Sequence, residues 1–346
     1  MHEPDPSSLP ARFASIDELD EFLTRPSRAL VDALAAVDGD LMILGVGGKM
    51  GPTLARLAKR AAPGKRVIGA ARFSDAAVKT ALEAHGVETI ACDLLERAAI
   101  EALPDVANVI FAAGHKFGAS GNPALTWAMN THVPALVAER YRASRIVAFS
   151  TGNVYALSKV GGPGATEATA PAPVGDYAQS CLGRERMFEY FSGRFGTAGR
   201  IVRLNYAIDM RYGVLVDIAA KIARGDAVDV TMGHVNVIWQ GDANAQVLGA
   251  LAHCTTPTTP INCTGTETVA VRWAAAELAR RMGREVRITG HEAETALLSD
   301  TTQARALFGE PVVPLARMLD WVADWVGAGG ASFNKPTKFE VRDGTF

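Results

Sequence analysis

Three glycines at a fixed spacing, Gly45, Gly48 and Gly51, follow the apolar run Leu41-Met42-Ile43-Leu44 and precede Leu54 to Arg60, which has helical periodicity. A GxxGxxG turn between a strand and a helix can cradle phosphate. The first glycine permits the tight turn, the second lets the backbone approach an anion, and the third lets helix and strand pack closely. The helix N-terminus then offers unpaired N–H groups to a pyrophosphate. Lys49 and Met50 lie inside the same turn, and Lys49 would add positive charge. The second apolar run ends Ala70-Ala71-Arg72. An acidic residue about 20 positions beyond the glycines would bind the ribose 2′-OH of NAD. Here alanine stands at 71 and Arg72 follows. Without that carboxylate a 2′-phosphate is not repelled, and a guanidinium can grip it bidentately. The chemistry expected is dinucleotide binding, with NADP ahead of NAD. Asp93-Leu94 closes a third run, where the carboxylate would accept from the adenine amino group or cap the next helix. Ala112-Ala113-Gly114 closes a fourth with side chains small enough for a cofactor to lie flat.

Such residues need one sheet edge to hold them together. Apolar or β-branched strands are expected at 41–45, 66–71, 88–92, 107–112, 144–150 and 199–204. Helical patterns fall between them at 52–62, 74–85, 94–102, 123–141 and 177–194. Continuous apolar strands alternating with helices specify a parallel sheet covered on both faces. The fold class expected is α/β, a Rossmann-type doubly wound parallel sheet of six or seven strands with a smaller C-terminal α/β substrate lobe. Beyond 205 the alternation loosens, with helices expected at 213–224, 242–253, 268–283 and 314–326 and short strands near 228–231, 260–264 and 285–289. Ser15 and Ser27 each read as a helix N-cap. Residues 1–39 are thus a helical N-terminal extension whose first ten residues fray. The dinucleotide domain is expected over 40–205 and the substrate lobe over 206–346, with some return to the core near 235–264.

The chain has 346 residues, 48% of them hydrophobic, enough for a sizeable core. Its formal charge is -2 with signs interspersed, which argues against a nucleic-acid surface or an anionic-membrane patch. Cys92, Cys181, Cys254 and Cys263 show neither CxxC nor metal spacing, so a reduced, cytoplasmic setting is expected. The acidic start does not read as a signal peptide, and no apolar run reaches the roughly 20 residues of a membrane span. His132, His234 and His291 lack partners at ligand spacing, so no metal is expected. No GxSxG is present, which sets α/β-hydrolase chemistry aside. Trp273, Trp321 and Trp325 fall on helical apolar faces and read as core or interface residues. Asp242 reads as the cap of the helix at 242–253.

Taken together, Gly45/Gly48/Gly51, Asp93-Leu94, Ala112-Ala113-Gly114, Asn130, Ser150-Thr151-Gly152-Asn153-Val154-Tyr155, Tyr177 and Arg203-Leu204-Asn205 resemble the extended short-chain dehydrogenase/reductase superfamily. These are the NAD(P)-dependent sugar epimerases and dehydratases, and the resemblance runs from about 40 to 255. It implies that Thr151 hydrogen-bonds a substrate oxygen and that Tyr177 exchanges a proton while hydride moves. It implies that Asn130 steadies the helix behind the site and that Asn205 faces nicotinamide or substrate. Asn153 and Arg211 would join the substrate side, Arg211 serving a carboxylate or phosphate or only an ion pair. A small carbohydrate-derived substrate and a homodimer paired through 123–141 and 177–194 are expected. The apolar residues Leu125, Trp127, Leu136, Val137, Leu182, Met187, Phe188 and Phe191 allow that pairing.

One position departs from the family. Its tyrosine belongs to Tyr-x-x-x-Lys, whereas here the run is Tyr177-Ala178-Gln179-Ser180-Cys181. The lysine binds the nicotinamide ribose and lowers the tyrosine pKa. A tyrosine near pKa 10 is a poor base at neutral pH, and cysteine brings no positive charge. Three readings stay open. Another cation, Arg184, His115 or Lys116, replaces the lysine; the protein binds dinucleotide as a catalytically impaired sensor or scaffold; or the chemistry is an atypical variant in which Tyr177 acts only as an acid or Cys181 itself takes part. Gly152-Asn153 stands where the 4,6-dehydratases carry Asp-Glu, which argues against that branch. The leading expectation is hydride transfer at a hydroxyl or carbonyl of a sugar, sugar acid or nucleotide sugar.

Overall fold

The computed structural model describes residues 9–116 and 119–345. Most of the start read as frayed, residues 1–8, lies outside them. Seven strands form one parallel sheet: β1 Leu41–Leu44, β2 Val67–Ala71, β3 Glu88–Ala91, β4 Asn108–Phe111, β5 Arg145–Thr151, β6 Gly199–Leu204 and β7 Thr259–Cys263. Their order is β3-β2-β1-β4-β5-β6-β7, so the winding reverses between β1 and β4. A crevice opens at such a reversal, outside the carboxyl ends of the strands. β7, expected only as a short strand near 260–264, pairs with β6 from Thr259 opposite Arg200 to Cys263 opposite Leu204.

The strand sequences read as unbroken apolar runs because each face meets a different helical layer. Leu41 and Ile43 of β1 join one core with Ile110, Val147 and Val202, while Met42 and Leu44 join the other with Val109, Phe111, Ile146 and Ile201. The first face is covered by α2 Arg28–Ala35, α3 Gly51–Ala61, α4 Ala76–Ala84, α10 Gln240–Gly249 and α12 Thr302–Phe308. The second is covered by α5 Arg97–Glu101, α7 Val133–Arg140 and α8 Gly175–Phe195. The helix expected over 123–141 is three pieces: α6 Pro123–Trp127, a π turn Ala128–His132, and α7. The helix expected over 242–253 begins two residues earlier and ends at Gly249, and α12 was not foreseen.

The second lobe packs α9 Val214–Arg224, α11 Val271–Met282 and α13 Leu315–Gly327 around Trp239 and Trp321. Of the three tryptophans assigned to core or interface, Trp321 and Trp325 are buried and Trp273 is 47% exposed. The N-terminal helices divide between the lobes. α1 Ile16–Leu23, capped by the Ser15 hydroxyl, buries Leu19 and Leu23 in the second lobe, where Phe13 and Phe22 pack on Trp239 and Trp321. α2, capped by Ser27, buries Leu30 and Leu34 against the sheet layer. No described helix is long and apolar enough to cross a membrane.

Candidate dinucleotide and substrate site

The carboxyl ends of β1 to β4 line a cleft of about 240 Å³. Gly45, Gly48, Arg72, Asp93, Leu94, Ala112, Ala113 and Gly114 all face it, eight residues chosen from sequence and scattered over seventy positions. Gly45 has φ +87, and a Cβ there would lie 2.6 Å from the Ala113 backbone, so only glycine lets the turn pass the end of β4. Gly51 opens α3, where a Cβ would strike the Val46 carbonyl; Met50 precedes it as the cap residue. Arg72 is exposed on the cleft wall and forms no ion pair among the described residues. Phe73 beside it holds φ +50, a left-handed conformation uncommon outside glycine. The Asp93 carboxylate accepts from Leu95 N at 3.0 Å in a local turn. α5 begins four residues later, so Asp93 does not cap it, and it stays on the cleft wall.

At the end of β5 the structure brings Thr151 and Tyr177 together. The Tyr177 hydroxyl is hydrogen-bonded to Thr151 and Cys181. Thr151 Oγ1 in turn accepts from the Asn153 backbone N–H at 3.2 Å and from its amide at 3.3 Å. Burial pushes the Tyr177 hydroxyl well above its ordinary value, opposed by the charge of Arg184. Burial also raises the Cys181 thiol. Both therefore hold their protons at neutral pH.

Arg184 lies one turn beyond Cys181 on α8 and is buried. It donates to Phe149 O and to Asn130 Oδ1, each at 2.8 Å, and lies beneath Gly114, where a Cβ would be 2.6 Å from Nη2. Its Nε has no partner among the described residues. Asn130 sits in the π turn with all its hydrogen-bonding capacity used. Oδ1 accepts from His115 N and Arg184; Nδ2 donates to His115 O and Ser180 Oγ. π turns are rare and recur at functional sites. Behind them Glu185, fully buried, accepts from Ser150 Oγ and from Arg203 through both oxygens, and Arg203 also donates to the Tyr155 hydroxyl.

Other candidates lie outside this cleft. Lys49 is not part of the Arg72 cleft; its Nζ lies 3.4 Å from Ala207 O and 4.4 Å from the centre of the Tyr212 ring. Asn205 is buried beside Gly152 and donates its amide to Leu297 O at 3.2 Å. Arg211 is bound by both oxygens of Asp209 and by Asp20, with Phe333 against its guanidinium. Asp242 is not the cap of α10. Because the helix starts at Gln240, its carboxylate falls in the first turn and accepts from Val313 N instead. Among the described residues no His, Cys, Asp and Glu cluster could hold a metal. Tyr212 lies under the Lys49 ammonium, and Thr337, bonded to Asp217, lies within reach of Lys116. Nothing in their local sequence marks them, because a long-range fold brings the C-terminal segment back to the site.

No family sequence model matches the chain, and no curated protein matches it in sequence. Solved structures do match it. The UDP-glucuronic acid 4-epimerase of Bacillus cereus in complex with NAD aligns with a TM-score of 0.70 at 16% identity, over 84% of this chain and 99% of that one. The UDP-glucose 4-epimerase of Thermus thermophilus in complex with NAD aligns at 0.67 and 17% identity, over 82% and 98%. A UDP-galactose 4-epimerase aligns at 0.66 and 19%, over 84% and 99%. The chain thus shares the fold of these UDP-sugar 4-epimerases.

Proposed function

We propose that the protein is an NAD(P)-dependent oxidoreductase or epimerase acting on a hydroxyl or carbonyl of a sugar, sugar acid or nucleotide sugar. The observation that carries this is the Thr151–Tyr177 hydroxyl pair beside the glycine-turn cleft. The cleft fits a dinucleotide: glycine backbone is bare at Gly45 and Gly48, Ala112 to Gly114 present little side chain, and Arg72 faces in. Arg72 with no acid at 71 favours NADP. When bound, the cofactor supplies or accepts hydride. Thr151, oriented by Asn153, holds the substrate oxygen, and Tyr177 gives that oxygen its proton in reduction and takes it back in oxidation. Arg184, held between Asn130 and Phe149 O, supplies the positive charge that Cys181 lacks; this favours turnover over a catalytically impaired regulator. Four unpaired cysteines fit a cytoplasmic setting. The exposed Trp127, Tyr190 and Phe195 on α6 and α8 support a homodimer there, although Leu136, Val137 and Phe188 belong to the protein's own core.

The test is Tyr177→Phe, assayed with both cofactors on sugars and sugar acids by the absorbance of reduced nicotinamide. Turnover should fall by about 10² to 10⁴ while cofactor affinity holds. Unchanged turnover would remove Tyr177 from the chemistry.

A further inference from the structure

A cavity of about 490 Å³ lies away from the dinucleotide cleft and shares no lining residue with it. It opens between α2, α10 and the stretch 310–313 that follows α12. On α10 the small residues Gly241, Ala245 and Gly249 recur every fourth position, so one side of the helix presents almost no side chain. Leu23, Leu30, Val31, Leu307, Phe308 and Val313 supply apolar walls around the space this leaves. The volume is that of a small-molecule site.

Two polar groups enter these walls without the partners they need. Asp242 and Gln246 stand one turn apart on α10, and both line the cavity. The Asp242 carboxylate accepts from Val313 N and forms no ion pair among the described residues. Burial raises its carboxyl to about 6, so at neutral pH it is an anion set among apolar side chains. Gln246 is 7% exposed, and its Oε1 has no hydrogen-bond partner among the described residues. The rim does not compensate: Arg25 pairs with Glu21, Arg28 with Asp32 and Glu310 with Arg305, while the His253 ring packs edge-on against Phe308. An unpaired carboxylate and an orphaned acceptor each cost free energy until a donor reaches them.

We propose that this cavity binds a small apolar amine, its ammonium seated between Asp242 and Gln246 and its hydrocarbon body along the small-residue side of α10. Residues one turn apart on a helix stand about 5–6 Å apart at Cβ, a span that one ammonium with three donors bridges. The Gln246 amide turns to meet it about a soft terminal torsion. A neutral alcohol leaves the carboxylate unpaired, and an anion meets a like charge. The site does not depend on the roles given to Thr151 and Tyr177.

Calorimetry on the full chain at neutral pH tests it, with phenethylamine and cyclohexylmethylamine set against phenethyl alcohol and hydrocinnamate. At least one amine should bind, with the alcohol and the carboxylate at least tenfold weaker. Asp242→Asn keeps an acceptor for Val313 N and removes the charge; it should lower amine affinity tenfold or more. Ala245→Leu fills the bare side of α10 and should lower it as far, in a variant whose thermal unfolding stays cooperative. Three results would overturn the proposal: no binding of either amine, alcohol or carboxylate binding as tight as amine binding, or amine binding that survives in Asp242→Asn.

Discussion

At Cys181 a single side chain separates the binding chemistry from the proton chemistry. Around it Tyr177 bonds to Thr151 and Cys181, and a buried arginine one turn on, proposed to stand in for the lysine's charge, is anchored by Asn130. That the glycines, Arg72 and Asp93 meet at one cleft was legible from residue type at the strand ends, and the nearness of Thr151 to Tyr177 from the family resemblance. Lys49 was legible only as a charge; its direction depends on Ala207, 158 positions away. The Glu185–Arg203 pair beneath the site was not foreseen, since its partners come from α8 and β6. A buried pair is weak support for stability, but breaking it leaves an uncompensated charge. Glu185→Gln, with Arg203 almost fully enclosed, should cost about 3–5 kcal/mol, measured as a lower urea midpoint with unchanged slope.

The elements most legible in the sequence were the strands buried on both faces, because an unbroken apolar run bounded by turns has few other uses. β7 was harder: its run includes a proline and an asparagine, and only pairing with β6 makes Thr259–Cys263 the sheet edge. The π turn was invisible, since one extra residue in a helix leaves no compositional mark; Asn130 lies within it. α10 illustrates a boundary error with a consequence for pH. Its Asp242 carboxyl, raised by burial from 3.8 to about 6, binds a proton in the folded state that the unfolded chain has already lost. Stability from this residue therefore falls as pH rises from about 4 through 6. Asp242→Asn keeps an acceptor for Val313 N and removes the titration. Its melting temperature relative to wild type should rise between pH 4.5 and pH 7, by at most about 3 kcal/mol in stability.

Across the whole molecule the two lobes are tied by both ends of the chain. α1 and α2 grip different cores, which gives the N-terminal extension a structural role that its helical caps alone did not reveal. The C-terminal segment returns to bury Phe339 at 1% exposure and to set Thr337 against Asp217 and Lys116. Phe339→Ala should cost about 3–5 kcal/mol in chemical unfolding, and should loosen the wall that holds Lys116. The sheet order follows from alternation and right-handed crossovers; the route of this segment does not, because it has no periodic pattern to read. The central proposal is that the crevice at the sheet's switch point holds a dinucleotide with a 2′-phosphate. Calorimetry of NADP and NAD on wild type and Arg72→Ala tests it most directly. NADP should bind at least tenfold tighter than NAD, and the substitution should remove about 1.5–3 kcal/mol from NADP binding alone. Binding of neither cofactor, or an NADP affinity indifferent to Arg72, would contradict the account.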